Sequence, residues 1–487
     1  MLSKSSYLKS LQCPRYLWLW EHRREEMKTP LDMGSEWMIE EGRMVEESAR
    51  TLFPTGKLVK SFHERGAEQT RAFIDDGHHC LFQATALGDD LLAMADVLQF
   101  NPSREVWDIF EVKSTTQVKD GHLHDVGFQK LAFERAGYKI GNSAVIHINR
   151  DYVRNGDLDV SAFLTIEDVS APVSEIADTV EAGTILAKKI LALTEEPSLT
   201  DFPCCCSPKD CPCSLHCFPG LPPQSVFYLR GITTKKARSL YESGIRTIVG
   251  IPDGTRLNKT QEKQVLAAKQ GAPIIDLEAI KKTLGSLTYP LYFFDYETFS
   301  SAIPPFENFK PGQVMPFQYS LHILRSPDGE LEHLEHLAPA YGNTIPDLVA
   351  ALRTHIGDDG TVIVWNKSFE MGCNDEMGIL CPTDAPFLKA VNDRIFDLME
   401  IFTKQYYVDA RFNSSCSIKK VLPVLVPALS HKDLEISEGM AASLSWYRMF
   451  GPEKSAGERE KTRQNLLEYC KLDTFAMVEI FRYLMKL

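Results

Sequence analysis

Three stretches of this sequence hold side chains whose types and spacing could do chemistry. The first is LLAMADVLQFNPSREVWDIFEVKSTT, where two apolar strands flank Asn101-Pro102-Ser103-Arg104, a turn by composition. A hairpin centred on that turn puts Asp96 opposite Ile109, with Glu111 a diagonal neighbour on the same sheet face and Lys113 further along it. Two carboxylates and a lysine converging on one face can hold a divalent cation, orient a water against phosphorus and stabilise the charge that develops. The competing reading, a solvated face of an edge hairpin, sits poorly with strands as apolar as LLAMADVL and WDIFEV.

The second set is spread along the C-terminal half. In FFDYETF, strand alternation places Asp295 and Glu297 on one face, about 7 Å apart along the chain. In EYCKLDTFAM, Tyr469 and Asp473 stand at i and i+4 of a helix, so both point the same way. Between them the buried strand of TVIVWNKSFE runs into Asn366 and Glu370. An acidic pair on a first strand, an acid after a later strand and a Tyr/Asp pair on the last helix compose a site for two divalent cations, with the tyrosine positioning the attacking water. An acidic rim without catalysis is the alternative, against which three separate motifs agree in spacing.

The third is DFPCCCSPKDCPCSLHCFPG, which gathers Cys204, Cys205, Cys206, Cys211, Cys213 and Cys217 of the chain's 12 cysteines. Such density in a chain without an export signal reads first as a metal or iron–sulfur site. The spacing Cys205-x5-Cys211-x5-Cys217 lacks the paired CxxC knuckles of a zinc ribbon, so a fourth thiolate must come from afar, and Cys13 in LKSLQCPRYLWLW is the isolated candidate. A zinc clip made within the window is the alternative. Cys80, Cys373, Cys381, Cys416 and Cys470 lie singly, as core thiols do.

The elements that must position these residues follow from periodicity. Residues 1–200 read as an N-terminal helix, mixed strand and helix, and a long helical stretch over 173–193, closed by the cysteine window. Past the boundary FPGLPPQS, residues 219–285 read as short helices. From Tyr289 come the strands YPLYFFDYETF, MPFQYSLHIL and ELEHLEHLA, a helix in IPDLVAALRTHI, the strand TVIVWN, and a closing helix from about Ala456. The order is α/β in three parts: 1–218, 219–285 and 286–487. A length of 487 residues exceeds what one core organises, and 44% hydrophobic residues exclude a disordered chain. No apolar run approaches the roughly 20 residues that cross a bilayer, and residues 1–21 carry no cleavage pattern, so a soluble cytoplasmic protein without membrane contact is expected. A net charge of −13 argues against simple polyanion binding, but residues 201–290 carry 12 basic against 7 acidic side chains. Acidic parts joined by a basic one suit metal-dependent chemistry on a nucleic acid.

These motifs carry resemblances. ADVL followed by EVKS resembles the PD-(D/E)xK nuclease core, a restriction-endonuclease-like fold, and VKDGHLHDVGFQKLAFERAGY is similar to the Gln-bearing helix of its RecB-like members. The resemblance implies a place for Gln129 beside Asp96, Glu111 and Lys113, with Mg²⁺ or Mn²⁺ held by Asp96 and Glu111. One upstream and three downstream cysteines resemble the iron–sulfur branch, the AddB-type and CRISPR-adaptation nucleases. That implies a 4Fe–4S cluster on Cys13, Cys205, Cys211 and Cys217, with Cys204, Cys206 and Cys213 leaving the register open. Those relatives also place a His or Glu on an early helix, where EEGRMVEESAR offers Glu46 or Glu47.

The C-terminal set resembles the tyrosine-bearing branch of the DEDD exonucleases, whose third motif is Y-x3-D, on an RNase H-like fold. It implies the same cations on Asp295, Glu297, Glu370 and Asp473, and cleavage from a 3′ end. The second motif usually ends in Asp where this chain has Glu370, and Asp397 in RIFDLME matches a recurrent acidic position. LRGITTKKARSLYESGI resembles a helix-hairpin-helix element, with Gly231-Ile232 at the hairpin and Lys235, Lys236 and Arg238 beyond it; an ordinary solvated helix pair reads the same. QYYVDARFNSSCSIKKVLP interleaves Tyr406, Tyr407 and Phe412 with Arg411, Lys419 and Lys420, which either stack single-stranded bases and track phosphates or pack as core aromatics beside a basic surface pair. The whole chain is similar to an uncharacterised bacterial family that joins a RecB-like nuclease to such a C-terminal domain. The expectation is a two-site metal-dependent nuclease acting on nucleic acid, DNA ahead of RNA, in repair, defence or processing. A nucleic-acid-binding scaffold with one live site or none is the alternative.

Overall fold

A computed structural model describes residues 1–27, 32–198, 208, 211–430 and 434–487. The fold is mixed α/β, in two compact units. One is built on 1–198 with 211–213 and Ser301–Gly312; the other on Ser214–Ser300 and Gln313–Leu487, so residues 219–285 group with the C-terminal sheet.

In the first unit the strands are β1 (Leu2–Ser3), β2 (Lys57–Leu58), β3 (Cys80–Gly88), β4 (Leu91–Asn101), β5 (Val106–Lys113), β6 (Ile140–Ile148) and β7 (Leu164–Asp168). They form one sheet in the order β2-β3-β4-β5-β6-β7, with β1 parallel to β4. The centre is an antiparallel meander, β3 to β5, followed by the helix Asp120–Arg135 and a return into β6 parallel to β5. Val126, Phe128, Ala132 and Phe133 of that helix are fully buried, and the same packing carries Asp125 and Gln129 into the interior. The segment Ser301–Gly312 is tied in by Arg154, whose guanidinium donates to the carbonyls of Pro304 and Pro305, and by Glu41, which accepts from the Ala302 amide.

The β4–β5 register differs from the sequence expectation. Asn101 pairs with Val106, and Val97 with Phe110, so Asp96 falls opposite Glu111 and not Ile109. The cause lies at the tip: Asn101 stays in the strand, and Glu105 takes a left-handed φ of 54°, moving the turn one residue along.

The second unit contains β8 (Ile274–Ile275), β9 (Leu291–Phe299), β10 (Met315–Leu324), β11 (Leu331–Leu337), β12 (Thr361–Val364), β13 (Ile395–Asp397) and β14 (Tyr407–Val408). Five of them order as β11-β10-β9-β12-β13, three antiparallel strands followed by two parallel ones; β8 and β14 form a separate pair. All of β10 is buried, as MPFQYSLHIL predicts of a strand covered on both faces. The 30-residue helix Ala456–Met485 opens on a capping box, Ser455 with Glu458, and packs across β9 and β10.

The expected helix-hairpin-helix is not what forms. Gly231 has the left-handed φ of 65° that a tight turn needs, and Thr233 caps the helix Thr234–Glu242, but a three-residue 3₁₀ turn, Val226–Tyr228, precedes it. Pro222 and Pro223 stand just upstream, where a helix could not be hydrogen-bonded through them.

Candidate metal centres

The meander of the first unit brings Asp96, Glu111 and Lys113 together, and the helix behind it supplies Gln129. Glu111 is 2% exposed. Its Oε1 accepts from Lys113 Nζ at 2.6 Å and its Oε2 from Gln129 Nε2 at 2.6 Å. Asp96 accepts from the Val112 amide at 2.7 Å and from Gln83 Nε2 at 3.0 Å. Burial raises the Asp96 carboxyl well above its usual range and the neighbouring charge of Glu111 adds to this. Burial pushes Glu111 the same way, but Lys4 and Lys113 more than offset it and hold Glu111 low. Gln129 keeps a fully buried Oε1 with no donor among the described residues, an acceptor that a cation or its water would satisfy.

Three participants were not legible as such. Lys4, at the start of the helix Lys4–Gln12, donates to Glu111 at 2.9 Å and pairs with Asp125 at 3.0 Å. Asp125 also receives Lys113 and Gln129, from which it stands four residues away on the same helix face. Gln83 interrupts β3 with a left-handed φ of 54° just where the strand faces Asp96, which turns its amide toward both Asp96 and Glu46. Of the two early-helix acids, it is therefore Glu46 that stands at this centre, and its charge reaches Asp96.

In the second unit, β9 presents Asp295 and Glu297 on one face, as alternation requires. The helix Ala456–Met485 lowers Tyr469, Cys470 and Asp473 onto them. Ligand atoms of Asp295, Glu297 and Cys470 lie within 4.8 Å of one another, and the charge of Asp473 acts on both carboxylates. Cys470, expected to be a lone core thiol, is thus core and site at once: its Sγ donates to the Asp295 carbonyl at 3.8 Å. Glu370 arrives from the helix Lys367–Leu380, just past Asn366, whose φ of 148° is rare for a residue with a side chain. That bend turns the chain from β12 into the helix. One Glu370 oxygen takes the Tyr296 amide; Oε2 is buried with no donor among the described residues. Burial, reinforced by mutual charge, raises Asp295, Glu297 and Glu370 well above their ordinary range. A cation would relieve that crowding, and hard divalent ions prefer such oxygen donors.

Other expected participants are placed elsewhere. Asp397 accepts the amides of Lys367 and Met399 at 3.0 and 2.9 Å, so it caps backbone at the start of the Glu370 helix. Tyr407 and Phe412 are 1% and 5% exposed within the core against Phe402, which leaves these two rings unable to stack bases, while Arg411 is paired with Asp409. Lys419 belongs to the centre itself, 3.2 Å from the Tyr469 hydroxyl.

Cys13 is buried at the start of the helix Pro14–His22. Tyr16, one turn on, has its phenol pushed up by burial and then by the charges of Cys213 and Cys211, which puts those two cysteines beside the Cys13 helix. Cys213 is buried, while Cys211 and Cys217 are partly exposed. Cys204, Cys205 and Cys206 lie outside the described residues.

Residues 292–417 match a domain of unknown function, DUF2779. The match takes in Asp295, Glu297 and Glu370 and ends before Lys419, Tyr469 and Asp473. The chain is also 28% identical over 224 residues to an uncharacterised protein of Mycoplasma genitalium, covering 42% of this chain and 34% of that one. To an uncharacterised protein of Ureaplasma parvum serovar 3 it is 26% identical over 215 residues, 40% of this chain and 31% of the other. The matched stretch thus spans about a third of each of these curated relatives. No described helix is long and apolar enough to cross a membrane.

Proposed function

We propose that this chain is a metal-dependent nuclease with two hydrolytic centres, a RecB-like PD-(D/E)xK site in the first unit and a DEDD-type 3′–5′ exonuclease site on an RNase H-like sheet in the second. The observation that carries the reading is Glu370 Oε2, a buried acceptor without a donor among the described residues, in the field of Asp295 and Glu297. The strand order β11-β10-β9-β12-β13 supports it, because it sets the acidic strand β9 between β10, crossed by the last helix, and β12, after which Glu370 follows.

Mg²⁺ or Mn²⁺ bound to these carboxylates would supply an activated water and stabilise the leaving oxygen. Asp295, Glu297, Glu370 and Asp473 would hold the ions at the C-terminal centre, Asp96 and Glu111 at the N-terminal one. Tyr469 would orient the attacking water through its hydroxyl hydrogen. Lys113 places an ammonium against the charge that develops on phosphorus. Gln129 keeps Glu111 turned toward the site.

A 4Fe–4S cluster on Cys13, Cys205, Cys211 and Cys217 belongs to the same proposal, with the buried Cys213 competing for a place. What supports it is that Cys211 and Cys213 of the cysteine window stand in the first unit beside Tyr16, one turn on from Cys13. A reducing cytoplasm, with DNA ahead of RNA as substrate, is the setting that suits it. A specific observation also favours a second reading, in which only the C-terminal site is live. Lys4 and Lys113 together already neutralise Glu111 and Asp125, as in a structural ion-pair cluster.

End-labelled DNA and RNA, single- and double-stranded, incubated with anaerobically purified protein in Mg²⁺ or Mn²⁺ and in EDTA, test the proposal. Metal-dependent products lost in part by Lys113→Ala support two sites; products unaffected by it support the one-site reading. No product from any substrate would leave a nucleic-acid-binding scaffold.

A further inference from the structure

The sequence couples Lys419 with Lys420 as a basic pair, and the structure separates them. Lys420 is exposed. Lys419 turns inward from the first turn of the helix Ile418–Leu425, which packs against Ala456–Met485. Its ammonium donates to the Ser437 carbonyl at 2.6 Å and to the Tyr469 hydroxyl at 3.2 Å, and it lies 5.3 Å from the centroid of the Tyr469 ring. From there its charge reaches both Asp295 and Glu297, against the larger effect of burial on each.

We propose that Lys419 is the built-in counter-ion of the C-terminal centre: its ammonium offsets the charge of Asp295 and Glu297, competes there with divalent cations, and fixes the Tyr469 hydroxyl as a donor toward the site. Only the last part rests on the nuclease reading.

Among the described residues, both hydrogen-bond acceptors of Lys419 are neutral oxygens. Its charge is therefore not consumed in a local ion pair and remains felt across the buried centre, where a low effective dielectric strengthens it. Acids crowded on β9 and the last helix need such a charge while no cation is present, and a cation that arrives must work against it. The hydroxyl follows from donor arithmetic. An ammonium can only donate, so the Tyr469 oxygen accepts from Lys419 and its own hydrogen points elsewhere. Lys419 is in this respect a positioning residue, acting through Tyr469.

The test titrates Mn²⁺ into the full-length chain by electron paramagnetic resonance, in a Glu111→Gln background that removes a metal-binding carboxylate from the N-terminal centre. Lys419→Met should tighten Mn²⁺ binding about fivefold, because a positive charge has been removed from beside a cation. Lys419→Arg should stay near the parent. In parallel, 3′ trimming of a labelled single-stranded oligonucleotide should lose roughly tenfold or more in kcat with Lys419→Met at little change in KM. Tyr469→Phe should then add little further loss, since both changes disable one hydroxyl. Weaker or unchanged Mn²⁺ binding in a folded Lys419→Met chain would overturn the counter-ion. Effects of Lys419→Met and Tyr469→Phe that multiply independently would overturn the positioning role. If the parent trims nothing, the exonuclease reading falls, and the Mn²⁺ comparison still decides the counter-ion alone. Should Lys419→Met fail to fold, Lys419→Gln keeps a donor without the charge, and the same tightening is expected.

Discussion

Glu370 stands where a shorter acid is usual in the exonucleases this unit resembles, and its two oxygens do different things. One takes the Tyr296 amide, and the other has no donor among the described residues. Glu370→Asp withdraws the carboxylate by a methylene, so it can serve the backbone or the cation but not both. We expect 3′ trimming to fall about tenfold or more at saturating substrate, with an unchanged melting temperature. Equal or faster trimming would show that the site merely tolerates the longer side chain. Residues of this kind were readable because each sits in a local pattern: alternation for Asp295 and Glu297, i and i+4 for Tyr469 and Asp473. Lys4, Gln83 and Lys419 were not, because what makes them members of a site is a contact made far along the chain. Lys4 meets Glu111 across 107 positions, and Lys419 meets Tyr469 across 50. Gln83 left only the faint trace of a polar residue in an apolar strand.

At the scale of elements, the last helix is held to the sheet by a buried polar seam next to the centre. His322 Nδ1 and Ser320 Oγ both lie 2.8 Å from Thr474 Oγ1, and the His333 ring sits 4.5 Å from that of His322, tilted by 37°, across β10 and β11. Burial lowers His322 to about 3 and His333 to about 4, with the neighbouring His333, Lys471 and Arg482 adding to the first and Lys471 to the second. A histidine whose folded value lies below its unfolded one stays neutral in the fold while the unfolded chain takes up a proton. Its stability is therefore full above about pH 6.5 and is lost as pH falls toward the folded value. By pH 5, His322 alone should cost about 2 kcal/mol of stability in the C-terminal unit. Denaturation at pH 7.5 and pH 5 checks this, and His322→Gln should flatten the difference; an unchanged slope in that variant would place the acid sensitivity elsewhere. Strand positions in this unit were readable from YPLYFFDYETF and MPFQYSLHIL, and most of the connector's helices from their composition. The β4–β5 register was not. Putting Asn101 in the turn was chemically reasonable, but the left-handed position went to Glu105, a residue with no special preference for it.

For the whole molecule, the two units differ in what should hold them together. The first would be closed by thiolates from its two ends, Cys13 and the cysteine window, joining segments roughly 190 residues apart and so removing a large loop entropy from the unfolded chain. Anaerobically purified protein should be brown, and Cys13→Ala should bleach it and lower the melting temperature of the first unit while sparing the second. A colourless protein with stoichiometric zinc would replace the cluster with a zinc site. The second unit needs no such clamp: β9 and β10 are buried beneath a 30-residue helix.

That unit therefore offers the most direct trial of the whole reading. Full-length protein and its Asp295→Ala variant are given the same single-stranded oligonucleotide, labelled at the 3′ end in one reaction and at the 5′ end in another, with Mn²⁺ present. The parent should release the 3′ label first and shorten the 5′-labelled strand stepwise. Asp295→Ala, which removes a carboxylate central to the cluster, should abolish both signals while the chain still melts as a folded protein. Undiminished 3′ trimming by the variant would contradict the assignment, and would transfer the exonuclease to the centre of Asp96, Glu111 and Lys113.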